Sequence, residues 1–393
     1  MVVGGTVVVA GAVTAAVMAP DRQPAVPTTA PVTTTPAPEA TAGPGPPTVP
    51  PADPLRAVVD DLSTFVEGVR ELEFLHPVEV ELIEGDAFVA RLLEQASQER
   101  DEAKTTERVL RAFGLIEGDV DIAAVVESYL SDAVLGFYDA ETDALVVRGT
   151  EVTPYVRTVL VHELTHALDD QHFELDRPEL DEVDDESGLA FSGLVEGNAV
   201  RVETLYRRSL DEAEQEQAAE EERDFAQGID VSGVPPFVAD LISFPYLAGP
   251  AFVDALVDSG GERRVDAAFS SPPTTSESVL DPEAFLAGEV VVHVATPPAD
   301  GPVIDQGVLG AWPIVMILSA ELDPGEAQDA AVGWAGDAYV AWSEDDRACV
   351  RATFVMDDGE VDALAAAWTG WADAHRDARV DRSGGDVTLT VCG

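Results

Sequence analysis

The stretch Thr158-Val-Leu-Val-His162-Glu163-Leu-Thr-His166-Ala-Leu-Asp169 decides how the rest of the chain is read. On a helix, His162 and His166 stand four residues apart and project from one face, one turn apart. Two imidazoles so placed can share a single tetrahedral metal ion. Glu163, beside the first, reaches a water on that metal rather than the metal itself, and can take its proton. Val159, Leu160, Val161, Leu164, Thr165, Ala167 and Leu168 are all uncharged, as a helix packed inside a protein requires. A chance HExxH on a solvated helix would carry charge on its other faces. Thr153-Pro154 supplies the start, since Thr caps well and Pro suits the first turn. The spacing predicts a helix running to about Asp170.

A catalytic metal of this kind needs a third protein ligand. Glu196 lies in Gly193-Leu-Val-Glu196-Gly-Asn-Ala-Val-Arg-Val-Glu203, an apolar helical context in which an unpartnered carboxylate is costly. Glu203, two turns later on the same face, is placed either to accept the free ring N–H of a ligand histidine or to pair with Arg201, Arg207 or Arg208. His172 competes for the third position. It stands ten residues after His162, with Asp169 between at a point where the chain would have to turn sharply.

These segments resemble the zincin metallopeptidases, and within them the gluzincin group. His162 to Asp170 is similar to the active-site helix of thermolysin-like enzymes. Glu196 to Glu203 is similar to the third-ligand helix of the zinc aminopeptidases. The resemblance implies Zn2+ held by His162, His166 and Glu196, Glu163 as general base, Glu203 behind the ligands, and a peptide or protein substrate. The His162–His166–His172 spacing is instead similar to the metzincins, which would make His172 the third ligand, except that Asp169 stands where they have a glycine. The likeness spans about residues 130–210. The chain departs from both named gluzincin families, with a longer His166-to-Glu196 interval, Val195 where an Asn precedes the ligand, and no Gly-x-Met-x-Asn motif. The expected fold is α+β, a zincin-like core with an active-site helix, a small edge sheet and a C-terminal accessory region. A catalytically inactive zincin-fold binding protein of the envelope is the alternative, and it has no physical need of Glu163.

Outward from the motif, residues 54–73 read as an amphipathic helix, Val78–Ile83 as a short strand, and 86–99, 105–113 and 119–130 as helices. Val134–Tyr138 and Ala144–Arg148 read as a hairpin, whose first strand is placed to pair with an extended peptide. Residues 171–187 read as an acidic loop, 188–225 as a long helix or helix pair, and 386–392 as a strand. Tyr246, Tyr206 and His293 are the candidate donors to a developing oxyanion.

Composition bounds the rest. Lys+Arg is 22 against Asp+Glu 75, leaving a formal charge of −53. Such a polyanion repels phosphate backbones, so nucleic acid is not an expected partner. Lys104 is the single lysine, an acidic, Lys-poor balance suited to high salt. Residues 2–19 carry no charge and sit at the lower limit for a membrane span, so 1–19 is expected to be an anchor or signal segment. Residues 20–54, with 12 prolines, form an expected disordered linker. The body is expected to divide into 55–300 and 301–393. Cys349 and Cys392 suit an oxidising compartment. Paired, they would close a loop of about 43 residues, worth about 4 kcal/mol in the chain-entropy view; unpaired, they would be buried thiols. The expected location is extracytoplasmic, membrane-anchored or secreted.

Overall fold

The computed structural model describes Val9–Gly11 and residues 54–393, apart from 97–99, 119, 141, 184, 289, 346, 358 and 359. The expected linker up to residue 53, and all of the expected anchor except Val9–Gly11, lie outside the described residues. The described chain is mixed α+β. Strand β1 (Val9–Gly11) precedes α1 (Pro54–Arg70), β2 (Glu79–Ile83), α2 (Gly85–Ala96), α3 (Arg100–Ala112) and α4 (Ile122–Ala133). The hairpin β3 (Val134–Asp139) and β4 (Ala144–Arg148) leads into α5 (Pro154–Phe173), α6 (Pro178–Val183), α7 (Asp185–Ser209), α8 (Glu212–Gln227) and α9 (Pro236–Gly260). Then come α10 (Glu262–Ser270), α11 (Ser276–Leu280) and α12 (Pro282–Ala287). The C-terminal part contains β5 (Val303–Gly307), α13 (Ala311–Ser319), α14 (Pro324–Ala331), β6 (Trp334–Glu344), β7 (Arg347–Met356), α15 (Val361–Ala374), β8 (Arg379–Ser383) and β9 (Asp386–Cys392).

Helix α5 is the centre of the first layer. The Thr153 hydroxyl accepts from the Val156 N–H at 3.3 Å, and Pro154 occupies the first turn. From Pro154 to Asp169 every residue except Arg157 is buried, so this helix is wrapped on all sides rather than half-exposed. Strands order as β1-β3-β4-β2, with β3 antiparallel to β4 and β2 parallel to it. Tyr138, Leu145 and Val147 pack with Leu160, Val161 and Leu164 of α5. Phe137 and Val146 point to the opposite face, against Phe88 and Leu92 of α2. The period-2 alternation therefore buries both faces. Gly136 sets the spacing between sheet and helix: a Cβ there would lie 2.8 Å from Val159 Cγ1 and 3.5 Å from Glu163 Cγ. β1 pairs antiparallel along the free edge of β3, Val9 opposite Phe137 and Ala10 opposite Gly136.

The C-terminal sheet is antiparallel, ordered β5-β6-β7-β9-β8. Its core takes in Val109, Phe113 and Ile116 from the α3 region along with Trp334, Phe354, Trp368 and Trp371, so residues before and after 300 share one core. Cys349 and Cys392 face each other across β7 and β9 and form a disulfide.

Two segments differ from the expectations. The acidic stretch 171–187 is largely helical: α5 runs to Phe173, α6 follows, and α7 starts at Asp185. Acidic residues favour helix N-termini, so a run of them is not by itself a loop signal. Helix α9 is long despite Pro245 and Pro250 inside it. It is the one described helix apolar and long enough to cross a membrane, yet Phe244, Phe252, Val253 and Leu256 lie in a core cluster with Leu194 and Val195. A core helix flanked by other elements gains its apolarity from packing.

Candidate metal centre

Helices α5 and α7 bring together His162 and Glu196, which stand 34 positions apart in sequence, with His166 between them. His162 Nε2 lies 3.1 Å from Glu196 Oε2, and His166 Nε2 lies 3.5 Å from the same oxygen. One donor atom from each of His162, His166 and Glu196 falls within 4.8 Å of the others, and all three residues are buried. Among the described residues the other such group is Glu344, Cys349 and Cys392, whose sulfurs are consumed by the disulfide. Glu163 is fully buried beside the triad, one residue from His162 and against Gly136 of β3.

Each charge in this cluster answers to its neighbours. Burial alone would lower the His162 pKa, but hydrogen bonds to Glu196 and Glu203 carry it above the usual imidazole range. Burial holds His166 well below that range. Burial would raise Glu196, but the nearness of His166 and the hydrogen bond with His162 hold it low. Glu203 touches both His162 and one of the arginines considered for it. Its Oε2 lies 3.3 Å from His162 Nδ1, and its Oε1 accepts from Arg207 at 3.2 Å. Arg207 also reaches Glu222 on α8 at 2.7 Å.

The other sequence candidates separate cleanly. Tyr246 of α9 comes to the site, where it is buried near Glu196 and its ring lies nearly parallel to His162 with centroids 6.5 Å apart. Burial, then the charges of Glu196 and Glu163, push this phenol well above its usual pKa, so it stays a neutral donor. Glycines make the approach possible. A Cβ on Gly197 would lie 2.3 Å from the Gly249 carbonyl carbon, and one on Gly249 would lie 2.2 Å from the Gly193 oxygen, so α7 and α9 cross with their backbones touching. Tyr206 instead packs on Phe65, with centroids 5.2 Å apart. His293 is exposed in an irregular segment. His172 sits in the last turn of α5 and hydrogen-bonds the Glu73 carbonyl through Nε2 at 2.9 Å. The helix does not turn at Asp169, so His172 is not part of the cluster. Sequence reasoning missed Gly136 and Arg70. The first carries no local signal beyond a glycine in a strand; the second reads as a surface charge at a helix end.

The donor set suits a metal. Two imidazole nitrogens and one carboxylate oxygen are the protein ligands of a hydrolytic zinc site. His166 is fully buried, and neither ring nitrogen has a hydrogen-bond partner among the described residues. A buried polar atom without a partner is costly, and a cation would satisfy it.

No family model matches the chain, and no curated protein does. Among solved structures it is similar to a protein of Chloroflexus aurantiacus described as a candidate hydrolase with a novel fold. That likeness has 16% identity and a TM-score of 0.40, and covers 61% of this chain and 91% of the other. At that distance it carries neither fold nor activity across.

Proposed function

We propose that this protein is a zinc-dependent peptide hydrolase acting outside the cytoplasm, related in its site to the gluzincins. The observation that carries the reading is the buried convergence of His162, His166 and Glu196 beside Glu163. The disulfide accords with an oxidising compartment. The uncharged stretch at 2–19 supports an anchored or secreted form, in which Val9–Gly11 would have to leave the edge of β3.

His162, His166 and Glu196 would hold a zinc ion, which would supply Lewis acidity to an attacking water and to the substrate carbonyl. Glu163 takes the proton of the attacking water and returns it to the leaving amine. Tyr246, kept neutral by burial, donates its hydroxyl hydrogen to the oxygen that gains charge on the substrate carbonyl. Glu203 holds the His162 ring through Nδ1, leaving Nε2 for the metal. Purified protein should hold about one zinc per chain by elemental analysis. His166→Ala should lose it while keeping a folded far-UV spectrum. Stoichiometric zinc in that folded variant would remove the site assignment.

The main chain of β3 passes directly over Glu163 at Gly136, which makes its edge the natural bed for an extended peptide. Val9–Gly11 already lie along that edge. Protein lacking residues 1–53 should therefore cleave an unstructured peptide several-fold faster than the full chain. A slower truncated form would mean that substrate binds elsewhere or needs β1.

A further inference from the structure

Behind the ligands, four helices meet in a buried network of charges that the catalytic reading does not use. Asp169 of α5 follows His166 by less than one turn, and Asn198 of α7 follows Glu196 by two residues. The Asn198 amide donates to Asp169 Oδ2 at 2.6 Å. Arg70, the last residue of α1 and fully buried, donates through Nε to Asp169 Oδ1 at 2.9 Å. Its other nitrogens reach Glu262 at 2.7 Å and Asp266 at 3.0 Å on α10. Arg201, on α7 with Asn198, closes the loop by binding Glu262 at 2.7 Å.

We propose that this network is the device that sets the spacing and register of α5 against α7, and that Asn198 and Asp169 are positioning residues for the metal site. The inference rests on the zinc reading above. Its physical reason is a division of labour. In the core that α5 shares with α7, Leu160, Val161, Leu164, Ala167 and Leu168 of α5 and Val202 of α7 are aliphatic side chains, which tolerate sliding and repacking. The glycine contacts fix α7 against α9 but not against α5. Two imidazoles on α5 and one carboxylate on α7 must nevertheless converge within a fraction of an ångström of the geometry zinc requires. A directional hydrogen bond, locked by a buried guanidinium, meets that need. Stability alone does not call for it, because buried ion pairs are often replaceable by apolar residues without loss.

The test compares zinc affinity, by competition with a chromophoric chelator, and the visible spectrum of the cobalt-substituted protein. Asn198→Ala should bind zinc about 10–100-fold more weakly, the size expected when an outer support of a ligand is removed. Its cobalt spectrum should change in position or intensity. Exchanging the partners, Asp169→Asn with Asn198→Asp, keeps one carboxylate and one amide between the helices and should recover most of the lost affinity. Glu262→Gln, which touches neither ligand helix's own pair, provides a milder arm that retains the fold, and should weaken zinc by at least about threefold. Unchanged affinity and spectrum in both Asn198→Ala and Glu262→Gln, with the intact protein binding zinc, would overturn the positioning role alone. Failure of the intact protein to bind zinc or cobalt would overturn the metal reading together with it.

Discussion

Glu163→Gln should leave zinc content unchanged and slow peptide hydrolysis by about 10²–10⁴-fold, the range supplied by a positioned general base. Gln has nearly the shape of Glu, and the site around residue 163 is closed by Val159 and Gly136, so the substitution leaves the packing intact. What it removes is the ability to accept a proton. The ligand atoms belong to other residues and should hold their metal as before. Elemental analysis and a steady-state assay on the same preparation separate the two effects. Hydrolysis at the unaltered rate would exclude Glu163 as the base, whereas no hydrolysis by the intact zinc-loaded protein would favour a zincin-like binding protein without catalysis.

The second large effect is expected at Glu196. Glu196→Ala should weaken zinc by more than about 100-fold, beyond the 10–100-fold typical of an outer-sphere change. It takes away the one carboxylate of the donor triad and leaves two buried imidazoles to hold the metal. His172→Ala should change affinity by less than about tenfold. Its Nε2 is engaged with the Glu73 carbonyl at the far end of α5, and it loses only an exposed contact. The reverse order of effects, with His172→Ala the more damaging, would restore the three-histidine arrangement. Chelator competition on the two variants decides between them.

What the sequence determined by itself was local. The pair His162 and His166 shares one face because helical geometry repeats every 3.6 residues, and the uncharged positions between them announce a buried helix. The Thr153-Pro154 start and the β3–β4 hairpin were legible for the same reason, each being specified by a few adjacent residues. Glu196 could be nominated because a lone acid in an apolar run asks for a partner, but the run does not say which partner.

The tertiary structure decided what depends on helices meeting. It put Glu196 against both imidazoles, brought Tyr246 to Glu196 through the glycine crossing of α7 and α9, left His172 outside, and joined Cys349 to Cys392. It also buried Arg70, 99 residues from Asp169, where periodicity suggested only a charge at a helix end. Contacts over such separations cost chain entropy and form only when the whole core closes around them. No window of neighbouring residues records that closure, so the placing of the two histidines on one helix face was readable from the chain, whereas the shape of the site was a property of the packing.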